Sequence, residues 1–176
     1  MVTNYHRQVE NVLVELGNEW TRINKIRKVN RGNSSPLSIV DPRSKNVLNY
    51  QPDVYYILRN NRKLVFEILD SELEKQDGIV ADVICSFLAE NVDGLFFIYP
   101  GPESAEKTIL EALKTIFKGL VNKGIEVSEL PHYQKTGAYL VTKKEASNST
   151  ELSIKLKKYA AEDKWLKSWP YSKESR

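Results

Sequence analysis

Two apolar runs, Val54-Tyr55-Tyr56-Ile57-Leu58 and Leu64-Val65-Phe66-Glu67-Ile68-Leu69, stand either side of Asn60-Asn61. They constrain the fold more than any other feature. β-Branched and aromatic residues dominate both runs, and Asn-Asn suits a hairpin turn, so the spacing predicts two neighbouring strands. Neither run alternates apolar with polar. Strands of that kind are covered on both faces, which predicts a central sheet between helices.

The surrounding sequence supplies those helices. Tyr5, Val9, Val12, Leu13 and Leu16 recur at helical spacing, and Gly17 is expected to stop that helix. The basic, β-branched stretch from Trp20 to Val29 reads as a strand, Leu37 to Val40 as a short strand, and Asp41-Pro42-Arg43-Ser44 as a turn. A helix is expected from Leu73 to Asn91 and a second from Ser104 to Lys123, with the apolar strand Leu95 to Tyr99 between them. Ile125 to Leu130 and Gly137 to Thr142 read as strands, and Ser149 to Ala161 as a helix. The strand-helix-strand order from Val92 to Glu129 suits a parallel crossover. The expected fold is therefore mixed α/β: one domain over 1–163, with a core at 1–100 and an α/β extension at 101–163. Residues 164–176, which carry Trp165, Trp169 and Tyr171 among lysines, form an aromatic and basic tail.

Composition excludes several classes. With 41% apolar and 28% charged residues the chain is globular. The single cysteine, Cys85, rules out a disulfide framework, and His6 and His132 lie too far apart in sequence to suggest a histidine metal cluster. There is no apolar leader and no run long enough to span a bilayer, so a cytoplasmic protein without a membrane partner is expected. The net charge is only +3, but it is unevenly spread. From Asn18 to Leu48 there are seven Lys/Arg against two acids, and from Lys143 to Arg176 nine against five. Such arms suit phosphate contacts, and Arg22, Lys25, Arg27, Lys28 and Arg31 are the candidate nucleic-acid-binding residues.

Asp53 follows Pro52 at the head of the first apolar run, and Glu67 interrupts the second. A carboxylate inside an apolar strand needs a partner, because burying an unpaired charge is costly. Two carboxylates brought together across a hairpin suit Mg²⁺ (or Mn²⁺), which takes oxygen ligands and can activate a water at a phosphodiester.

The order of helix, strands, Pro52-Asp53, Phe66-Glu67-Ile68-Leu69, helix and strand resembles the core of the PD-(D/E)xK nuclease superfamily. The resemblance covers about the first hundred residues. It implies a restriction-endonuclease-like or Holliday-junction-resolvase-like mixed sheet and metal-dependent cleavage of DNA. It also implies a third acid from the first helix, Glu10 or Glu15, and, because duplex cleavage needs two sites, a homodimer. Leu69 departs from the pattern, since the family lysine there positions the attacking water and stabilises developing charge. Three readings follow. Lys75 supplies the ammonium group instead; Asp70, Glu72 or Gln76 substitutes; or the site is inactive and the chain binds nucleic acid or assembles without catalysis.

Register decides whether the acids meet. A two-residue Asn60-Asn61 loop would pair Asp53 with Ile68 and turn Glu67 to the opposite face. Convergence therefore requires an odd loop or a bulge near Pro52. A separate stretch, Gly101-Pro102-Glu103-Ser104-Ala105-Glu106-Lys107-Thr108, approaches a phosphate-binding loop pattern but places Glu106 where glycine is required, and reads as a turn before a helix.

Overall fold

The computed structural model describes residues 4–41, 43–70, 76–124 and 135–166. Among these, helix α1 (Asn4–Arg22) leads into strand β1 (Lys28–Arg31). A two-stranded ribbon follows, β2 (Leu37–Val40) and β3 (Val47–Tyr50), and then β4 (Val54–Ile57) and β5 (Lys63–Ile68). The chain continues through α2 (Gln76–Leu88), β6 (Val92–Tyr99), α3 (Ala105–Asn122), β7 (Thr136–Leu140), α4 (Lys143–Ala146) and α5 (Ser149–Glu162). The central sheet has the order β1-β4-β5-β6-β7. Its β1-β4 and β4-β5 pairs are antiparallel, and its β5-β6 and β6-β7 pairs are parallel.

The two faces of the sheet bury separate cores. On one, Val54, Tyr56, Leu64, Phe66, Phe96 and Ile98 pack against α1, α5 and Trp165. On the other, Tyr55, Val65, Leu95 and Phe97 pack against Ile79 and Val83 of α2 and Ile109, Leu113 and Phe117 of α3. The covered, non-alternating strands expected from the sequence are thus the middle layer of three. Among the described residues no helix is long and apolar enough to cross a membrane.

Two local expectations are corrected. The first helix does not end at Gly17 but runs on to Arg22. A Cβ on Gly17 would lie 2.7 Å from Val29 Cβ and 2.8 Å from Tyr56 Cε1, so this glycine serves close approach of α1 to the sheet and not a helix stop. The stretch from Trp20 to Val29 is not one strand, because its first part completes α1 and turns Trp20 edge-on to Tyr56 with ring centroids 5.7 Å apart. Tyr50 closes β3 and Val54 opens β4, so Asp53 lies between the two strands. The strand expected at 125–130 falls outside the described residues; the partner β6 takes is β7, which completes a parallel crossover through α3.

Trp165, assigned by sequence to a tail, is fully buried. Its ring packs on Phe66, Phe96 and Tyr139, and its indole N–H donates to Tyr139 Oη at 2.8 Å. The packed core therefore extends past the boundary expected at 164.

Candidate functional site

The hairpin register places the two carboxylates. Ile57 pairs with Lys63 and Val54 with Phe66. Leu58 N–H bonds to the Arg62 carbonyl, which leaves residues 59–61 as the turn, with Asn61 at φ 64°. A three-residue turn ending in a left-handed residue is a favoured hairpin closure, and asparagine tolerates that conformation. The turn is odd, as convergence requires. One step beyond Val54 and Phe66, Asp53 stands opposite Glu67, and cross-strand partners share a face.

Each carboxylate is held by specific donors. Glu67 is 6% exposed. Its Oε1 accepts the Tyr50 hydroxyl, and its Oε2 lies 3.4 Å from the Asp53 backbone N–H. Ser86 of α2 donates to Tyr50 Oη at 2.8 Å, so α2 fixes the tyrosine that fixes Glu67. Asp53 Oδ2 accepts the Ile68 N–H at 2.7 Å, while Oδ1 meets His6 Nε2 at 2.8 Å. The chain also crosses itself tightly here: a Cβ on Gly32 would lie 1.9 Å from the Pro52 carbonyl oxygen. Only glycine permits that crossing.

The electrostatics are acid-rich. Burial first, then the fields of Asp82 and Asp53, push the Glu67 carboxyl well above the usual range, against the hydrogen bonds that favour its charged form. Asp82 is pushed up to about 7 by burial and by Asp53. It sits four residues before Ser86, one turn along the same side of α2. Burial lowers the His6 imidazole, but the bond to Asp53 and the fields of Asp53, Asp70 and Glu10 outweigh it, and the net shift is upward.

The other sequence candidates fall in several places. Glu10 is buried on α1, and its Oε1 accepts Arg31 Nη1–H at 2.6 Å. Glu15 is exposed. Arg31 also bonds Asn11 Oδ1 at 2.8 Å and lies at the acid-pair end of β1, opposite Val54. Arg22, Lys25, Arg27 and Lys28 lie at the other end, where Lys28 pairs with Ile57. Along α1 from His6 to Arg22 the rise is about 24 Å, so these four cations do not line the acid pair. Leu69 packs into the apolar cluster beneath α2 and α3. Lys75 lies outside the described residues. Among the described residues no group of three or more His, Cys, Asp or Glu side chains is placed to hold a metal ion.

Sequence reasoning missed three members of this cluster: His6, Asp82 and Tyr50. The i, i+4 spacing of Asp82 and Ser86 was a signal for a polar side of an otherwise apolar helix. Comparisons with protein-family models, curated proteins and solved structures find no match to the chain.

Proposed function

We propose that this chain is a metal-dependent nuclease with a restriction-endonuclease-like core, acting on DNA phosphodiester bonds at Asp53 and Glu67. The observation that carries the reading is the odd hairpin turn, which sets those two carboxylates opposite each other. The order α1, β1, β4, β5, α2, β6, with a ribbon inserted after β1, supports the resemblance in topology.

The donor set fits a hard divalent cation. Asp53 and Glu67 offer oxygens across one strand pair, and a cation would offset what raises Glu67: its burial first, then the fields of Asp82 and Asp53. Mg²⁺ commonly takes one or two carboxylates and fills its remaining positions with water and substrate phosphate, so a third protein acid is not required. When bound, such an ion activates water and stabilises charge at a phosphodiester. The protein's part is placement. Tyr50, backed by Ser86, holds Glu67 in one rotamer, and the Ile68 N–H with His6 holds Asp53. Donors that lock ligands in this way reduce the reorganisation needed when metal and phosphate arrive.

The test is cleavage of plasmid and single-stranded DNA with Mg²⁺ or Mn²⁺, comparing wild type with Asp53→Ala and Glu67→Ala. Each substitution is expected to lower the rate at least about a hundredfold, and chelation to abolish it. Cleavage that survives both substitutions rejects this site. One observation favours a second reading, a nucleic-acid-binding or assembly protein without catalysis: Leu69 packs into the apolar cluster where the family ammonium would stand. DNA binding without cleavage at any metal concentration is the result expected from it.

A further inference from the structure

The β2-β3 ribbon is not part of the central sheet. Its root is anchored beside the acid pair. Leu37 and Tyr50 face each other there and are buried, the Tyr50 hydroxyl reaches Glu67, and the Tyr55 hydroxyl donates to the Ser35 carbonyl at 2.9 Å. In its far half Ile39 still packs against the core, but the other apolar side chains are open. Val40 and Val47 are cross-strand partners, 40% and 54% exposed, and Leu48 on the other side is 69% exposed. The turn beyond them carries Arg43 and Lys45, both exposed, with Lys45 at φ 61°. The ribbon's one acid, Asp41, is taken up by the turn: Oδ1 accepts the Arg43 N–H at 2.8 Å and Oδ2 accepts the Ser44 hydroxyl.

We propose that this ribbon is a groove-reading arm that inserts into duplex DNA beside the bond presented to Asp53 and Glu67. The inference rests on the reading that the chain acts on DNA. Four-residue strands give an arm about 13 Å long, and two strands about 4.8 Å apart with their side chains fit a major groove about 12 Å wide. The charges match the parts they would meet. Arg43 and Lys45 at the turn suit phosphates, whereas Val40, Val47 and Leu48 suit thymine methyls and the apolar parts of base edges. The arm also adds cations beside the acid pair, at the end of the sheet away from Arg22, Lys25, Arg27 and Lys28.

The experiment is fluorescence anisotropy with a labelled 20-base-pair duplex in EDTA, which stops cleavage, over a series of salt concentrations. The proteins are wild type, Arg43→Ala/Lys45→Ala, Leu48→Asp, and Lys158→Ala as a control for loss of an exposed charge elsewhere. Removing both turn cations is expected to reduce the slope of log affinity against log salt by about 1.8, and Lys158→Ala to leave it unchanged. Leu48→Asp is expected to weaken duplex binding at every salt concentration. These side chains are exposed, so the variants are expected to melt as wild type does. Absence of duplex binding by wild type overturns the proposal, as do ribbon variants that bind with wild-type affinity and slope. Conversion of a dimer to a monomer by Leu48→Asp with DNA affinity unchanged overturns it too, in favour of pairing between copies. Binding that follows the ribbon while wild type never cleaves leaves the arm standing and rejects the nuclease reading.

Discussion

At the start of β6, Lys135 and Arg62 converge on Asp93, at 2.9 and 3.4 Å, with Lys135 only 4% exposed. At the far ends of β4 and β5, Asp82 and Asp53 act on the buried Glu67 and Asp53 acts on Asp82, with His6 bonded directly to Asp53. Both clusters sit on the same sheet, and both place charge in partly or fully buried positions. Among the described residues in direct contact, the first has more cations than acids, and the second more acids than cations. Buried charge that serves the fold alone is normally matched. That excess of acid is what the proposed cation would offset.

Substitutions can break this comparison. Lys135→Ala has the largest expected effect. It strips Asp93 of its closest partner while Arg62 stays, so the loss is expected near the lower end for a buried pair, about 3 kcal/mol, measurable as a lower urea midpoint. Glu67→Gln, by contrast, removes a repelled carboxylate and is expected to cost far less. Equal losses from the two substitutions would show that the acid end is as structural as the other.

Next in size is the effect of the ion. Mg²⁺ or Mn²⁺ at about 100 times its dissociation constant is expected to add about 2.7 kcal/mol, or roughly 5–10 °C in melting temperature. The gain should vanish in Asp53→Ala and Glu67→Ala. A gain that persists in both places the ion elsewhere.

A smaller effect concerns pH. The Asp82 carboxyl is raised from 3.8 to about 7, so the folded state holds its proton more tightly than the unfolded state. Its contribution is present below about pH 4 and is lost as pH rises toward 7. Asp82→Asn is expected to flatten the metal-free decline across that window, read from melting temperatures at successive pH values. An unchanged profile would remove Asp82 from the cluster. The smallest change belongs to Lys157→Ala. Its bond to Glu19 is 2.8 Å long, but both side chains are more than 40% exposed, so a loss within about 0.2–1 kcal/mol is expected from chemical denaturation. A loss as large as that of Lys135→Ala would show that burial is not what gives the Asp93 pair its weight.

The sheet was readable from the sequence because its strands are long apolar runs broken by Asn60-Asn61 and Pro100-Gly101, and period and composition carry such elements. The acid pair was readable as residues, but its meeting depended on one extra residue in a turn, which composition does not encode. Gly17 was misread because a glycine that ends a helix and one that lets a helix touch a sheet look alike until the opposing Val29 and Tyr56 are in place. His6 and Asp82 were missed for a related reason. His6 meets Asp53 across 47 residues of chain, and Asp82 acts through a helix packed over Glu67. Neither distance has a local signature.

Trp165 carries a consequence for how the protein is made. Its ring completes a core whose other walls include α1, so the first and last described helices depend on each other. While the chain is being synthesised, α1 and the strands emerge with one side of Phe66 and Phe96 uncovered, and that side closes only after Trp165 has left the ribosome. Until then the nascent chain presents a sticky aromatic surface, the kind of surface on which chaperones act.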